Sequence, residues 1–111
     1  VRLPYHLSSL TQAAAEVALD HRRELLAGVT SLVTAREQLA DSLQQLGLRT
    51  VRSSANFLLF TGFSASAPQL WASLLEKGVL IRDVGLSGYL RVTIGNEADN
   101  KRFIDALEQL L

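Results

Sequence analysis

Arg82, in the segment GVLIRDVG, and Arg91, in GYLRVTIG, stand nine residues apart, each inside a short apolar run with glycines between them. A guanidinium is planar, always charged, and presents a fork of N–H donors that matches the oxygens of a carboxylate or a phosphate. Two of them on neighbouring strands suit one chemistry, the gripping of an anion. A charge taken out of water without a partner is costly, so stability is a poor reason to place both there. Other chemistry-bearing side chains are sparse. The absence of cysteine rules out a thiolate nucleophile, a disulfide framework and a cysteine-based metal centre. His6 and His21 are too isolated to suggest a metal site. The two lysines, Lys77 before Gly78 and Lys101 early in a final helical segment, stand in surface-like settings.

The elements that must hold the arginines are well punctuated. Ser9-Leu10-Thr11-Gln12 reads as a capping box, and the alanine-rich TQAAAEVAL after it forms helix readily, ending near Asp20. A longer helix is expected from Arg22 to Leu46. Leu25, Val29, Leu32, Leu39, Leu43 and Leu46 recur on it at spacings of four and three, with Arg36 in the one vacant slot. Gly47 is its expected stop. LRTVRS reads as an edge strand, and Asn56–Thr61 as a strand buried on both faces. Ser66 caps a third helix, with Pro68 near its start and Gln69 completing a capping box. Leu70, Trp71, Leu74 and Leu75 line one side of that helix, and Gly78 ends it. Val79–Arg82 and Tyr89–Ile94 are the next strands. Asn96 caps a last helix whose first turn carries Glu97 and Asp99, a match to the helix dipole. Its apolar face is Phe103, Ile104, Leu107, Leu110 and Leu111.

This order predicts an α/β (α+β) fold, a two-layer sandwich in which helices cover a small sheet of three to four strands. Alternation along Tyr89–Ile94 turns Leu90, Val92 and Ile94 to one face, and Tyr89, Arg91 and Thr93 to the other. A hairpin centred near Leu86-Ser87 sets Arg82 directly opposite Arg91. Like charges in such a pair repel, and two readings account for them. In one, Asp83 or another carboxylate neutralises them as an ion pair. In the other, the pair forms an anion pocket.

The bounds are those of one domain. A chain of 111 residues, 48% hydrophobic and 20% charged, has room for one modest core. Eleven basic and eleven acidic residues cancel, so no overall field recruits nucleic acid or an anionic membrane. No apolar run approaches the ~18 residues that a membrane span needs, and the expected compartment is the cytoplasm. The chain has no methionine and begins at Val1. Val1 is therefore expected to be internal to something longer, a processed N-terminus or a removed tag being the alternatives.

LPYHLSSLTQAAAEVAL, SSANFLLF, GVLIRDVG and GYLRVTIGNEADNKRFIDAL, in this order and without large gaps, resemble the C-terminal part of the histidinol-phosphate aminotransferase family. That family belongs to the fold-type-I enzymes dependent on pyridoxal 5′-phosphate (PLP). The resemblance implies an aminotransferase small domain. Residues 1–21 would be an interdomain helix and connection and 22–111 the small domain, while the large PLP-binding domain lies outside residues 1–111. It implies transfer of an amino group between L-histidinol phosphate and 2-oxoglutarate, giving glutamate, in histidine biosynthesis by a homodimeric parent. Arg91 matches the family arginine that holds the substrate's anionic end, and Arg82 the second arginine associated with phosphate recognition.

The resemblance assigns no catalytic residue to this chain. Neither Lys77 nor Lys101 stands in the Ser-x-x-Lys context of the cofactor lysine, so the fragment is expected to be inactive alone and to bind no PLP. Asn56 matches a recurrent small-domain position and is taken as a strand-start residue. Tyr5 is taken as a linker or packing residue. The alternatives are the small domain of another fold-type-I aminotransferase or PLP decarboxylase, and a stand-alone anion-binding module.

Overall fold

The computed structural model describes residues 7–111, so Tyr5 and His6 lie outside the described residues. The described elements are α1 (Ser9–Asp20), α2 (Arg22–Gln45), β1 (Arg49–Thr50), β2 (Phe57–Thr61), α3 (Ala67–Glu76), β3 (Arg82–Asp83), β4 (Leu90–Thr93) and α4 (Glu97–Glu108). The chain divides into two compact units, Val1–Ser31 and Leu32–Leu111. In the first, α1 buries no residue. Its cap is Ser8, one residue ahead of the expected Ser9. Ser8 is extended and its hydroxyl accepts from Thr11 N at 3.1 Å, while Gln12 reaches back to Leu7 O at 3.0 Å.

The second unit contains the sheet, with strand order β1-β2-β4-β3 and every neighbouring pair antiparallel. Leu58 opposes Val92 and Phe60 opposes Leu90, so these four side chains share one face. All four are buried, and they join Leu39 and Leu43 of α2, Leu70 and Leu74 of α3, and Phe103 and Leu107 of α4 in one cluster. Phe103 and Phe63 each meet the Phe60 ring edge-on, with centroids 5.8 and 5.9 Å away, a favoured aromatic geometry. This is the expected helix-on-sheet layering.

Several expectations change. Along α2 the stripe divides: Leu39 and Leu43 are buried, whereas Leu25 and Val29 are more than half exposed. Periodicity marks an apolar face but does not say what covers it. Leu75 and Leu111 are likewise exposed. Strand β2 is central in the sheet yet buried on its core face alone, its other face being half-covered. Of the third expected strand, Val79–Arg82, only Arg82 pairs, in β3 with Asp83. Val79 and Ile81 are buried, but their backbones are committed elsewhere. Val79 N closes the end of α3 on Leu74 O at 2.9 Å, and Ile81 O accepts from the Trp71 indole at 2.9 Å.

Candidate functional site

The β3–β4 hairpin sets the arginines. Gly85 and Gly88 both have positive φ, 72° and 75°, a region open to glycine at no steric cost. Tyr89 N closes the turn on Leu86 O at 3.0 Å, and the Asp83 carboxylate accepts from Gly85 N at 2.8 Å. The resulting register pairs Arg82 with Arg91, as the alternation predicts, and Asp83 with Leu90. Asp83 is thereby turned to the opposite face from Arg82, because successive strand residues alternate. Among the described residues no carboxylate comes within ion-pair distance of either arginine. The ion-pair reading, with Asp83 as neutraliser, is corrected on this point.

The two guanidiniums sit in different surroundings. Arg82 is exposed, while Arg91 is half-buried between β3 and β2, with Leu59 as its β2 partner. The Arg91 Cζ lies 4.9 Å from the centroid of the Phe57 ring. Its Nε is enclosed and donates no hydrogen bond among the described residues, so its donors free for a ligand are those of its terminal nitrogens. Arg49, Phe57, Leu59, Thr61, Arg91, Thr93 and Arg82 share the sheet face away from the core, by register. This face is apolar at its centre and cationic at both sides, through Arg49 on β1 and through Arg91 and Arg82 toward β3.

Phe57 was not singled out by the sequence pattern, which reads NFLLF as uniformly buried. Its position is held by a short network. Ser53 Oγ donates to Phe57 O at 2.7 Å and accepts from Ala55 N at 3.1 Å. Arg36, with 12% of its side chain exposed, donates to Ala55 O at 3.1 Å. Asn56 O accepts from Ile94 N at 2.9 Å, consistent with a strand-start role. Arg36 thus occupies its slot in the α2 stripe as a partly buried donor to the loop before β2.

The sequence of the chain matches the pattern of the family "Aminotransferase class I and II" over residues 1–107. The chain belongs to that family, whose enzymes work with PLP on small-molecule substrates and are typically dimeric. The histidinol-phosphate aminotransferase of Mycobacterium sp. (strain JLS) is 55% identical over 111 residues, all of this chain and 29% of that protein. The chain therefore spans under a third of the length of the curated relatives it matches. Among solved structures, the histidinol-phosphate aminotransferase from Clostridium acetobutylicum is similar with a TM-score of 0.65 and 28% identity, over 71% of this chain and 26% of that one. The L-threonine-O-3-phosphate decarboxylase from Porphyromonas gingivalis is similar with a TM-score of 0.78 and 28% identity, over 94% of this chain and 34% of that one.

Among the described residues, neither lysine offers PLP a free amine. Lys77 Nζ donates to Gln109 Oε1 at 2.8 Å, and Lys101 Nζ is held by the Asp105 carboxylate at 2.7 Å, both in exposed settings.

Proposed function

We propose that this chain is the C-terminal small domain, residues 22–111 with the connecting helix in 1–21, of a histidinol-phosphate aminotransferase. In this reading Arg91 and Arg82 grip the anionic group of the substrate. The observation that carries it is their register pairing, with no described carboxylate to neutralise them. Two like charges set opposite each other cost stability, and an anion placed between them reverses that cost. One site serves both L-histidinol phosphate and 2-oxoglutarate, because a guanidinium fork accepts phosphate and carboxylate oxygens alike. The grip orients the reacting end of the substrate, a positioning contribution that lowers the entropic part of the barrier.

The parent is a cytoplasmic homodimer in this reading, and the cofactor and its lysine lie in a part of the longer protein beyond residues 1–111. No chemical step falls to this chain. The likeness to the threonine-phosphate decarboxylase supports a second reading, the small domain of a PLP enzyme that decarboxylates a phosphorylated substrate.

The test uses the full-length protein that contains this chain, assayed with histidinol phosphate and 2-oxoglutarate. Arg91→Ala is expected to raise KM for both substrates by about tenfold or more, the equivalent of about 1.5–3 kcal/mol for a charged hydrogen bond. Arg82→Ala is expected to raise KM more for the phosphorylated substrate. Unchanged kinetics in both variants would sink the anion-grip reading. No amino transfer from histidinol phosphate, together with release of carbon dioxide from a phosphorylated amino acid such as L-threonine O-3-phosphate, would select the decarboxylase.

A further inference from the structure

We infer that Phe57 is a positioning residue for the Arg91 anion grip, acting as the floor against which the guanidinium is held. This rests on the reading of Arg91 as an anion-binding residue and goes beyond it by naming what orients the arginine. Phe57 and Arg91 are diagonal neighbours on one sheet face, since Phe57 opposes Thr93 and Leu59 opposes Arg91. The Arg91 Cζ stands over the Phe57 ring at 4.9 Å, inside the range where a cation is attracted to an aromatic face.

An arginine on an open strand has several rotamers to lose when it binds. A ring beneath one side of the guanidinium, with Nε enclosed, removes most of that freedom beforehand. Repulsion from Arg82 would otherwise push the Arg91 head away from the shared site. The ring opposes that push without neutralising the charge, which a carboxylate would do. Ser53 and Arg36 brace the loop that delivers Phe57, holding Phe57 O, Ala55 N and Ala55 O.

The test is an NMR titration of the 111-residue chain with inorganic phosphate, reading the arginine Nε–Hε signals. In the unsubstituted chain the Arg91 signal is expected upfield of the Arg82 signal, through the ring current of Phe57, and to move as phosphate is added. Phe57→Leu keeps an apolar side chain in the strand but removes the aromatic face. It is expected to abolish the upfield shift and weaken phosphate binding about fivefold, about 1 kcal/mol at 1.4 kcal/mol per tenfold. Phe57→Tyr, which keeps the ring, is expected to restore both. Core methyl signals of Leu90 and Val92 that stay in place report that the sheet is intact. Equal phosphate affinity with and without the ring, or an Arg91 signal with no ring-current shift in the unsubstituted chain, overturns the positioning role. Phosphate that moves no arginine signal in the unsubstituted chain overturns the anion grip itself, and the positioning role with it.

Discussion

In the proposed reading, the register shared by Arg82 and Arg91 serves anion binding at the expense of folding. Directly opposed like charges destabilise a strand pair by about 0.2–1 kcal/mol, and no described carboxylate offsets them. Arg82→Gln is therefore expected to stabilise the chain by a few tenths of a kcal/mol, within the range for such cross-strand pairs. Because Arg82 is exposed, the gain should shrink as salt screens the repulsion. Urea denaturation at low and high salt checks this; a loss of stability at low salt would mean that Arg82 has a stabilising partner. A change that steadies the fold while weakening anion binding is the pattern expected of a residue kept for function.

The helix ends follow local rules closely. Asn96 accepts from Asp99 N at 2.9 Å and caps α4, with Glu97 and Asp99 in the first turn. Asn96→Ala is expected to cost about 1 kcal/mol, as loss of a cap typically does, whereas Asn96→Asp should be nearly neutral. The urea midpoint should fall for the alanine variant with an unchanged slope. Gly78 has φ 74°, a left-handed conformation that glycine adopts at no steric cost, which is why the α3 stop is a glycine. Strands were less legible. Val79–Arg82 is a short apolar run that reads as a strand, yet only Arg82 of that stretch joins the ladder, because helix α3 and Trp71 claim Val79 N and Ile81 O.

The core of the second unit depends on residues brought together from distant parts of the chain. Leu107 is fully buried and Leu111 is 49% exposed, although both belong to the same apolar series at the end of the chain. Leu107→Ala is expected to cost about 2–5 kcal/mol, as core truncations do. Leu111→Ala should stay within about 0.5 kcal/mol, as exposed substitutions usually do. Thermal or urea unfolding of the two variants separates them, and equal losses would show that Leu111 is covered in solution. Among the described residues no helix is long and apolar enough to cross a membrane.

Much of the architecture was readable from local pattern. Alternation along Leu90–Ile94, the caps at Ser66 and Asn96, and the spacing of Arg82 and Arg91 each involve neighbours in the chain. Their physics, sterics and short-range hydrogen bonding, acts over a few residues. Coverage and partnership do not work that way. Leu39 is buried while Leu25 on the same helix is not, Asp83 is spent on Gly85 N, and Phe57 lies beneath Arg91. Each of these outcomes depends on which distant segment arrives alongside, and hydrophobic burial is non-directional, so it rewards any apolar surface that comes within reach. Residue pattern thus marked Arg82 and Arg91 as a pair able to hold an anion. Sheet register left them without a described carboxylate and put an aromatic ring under one of them.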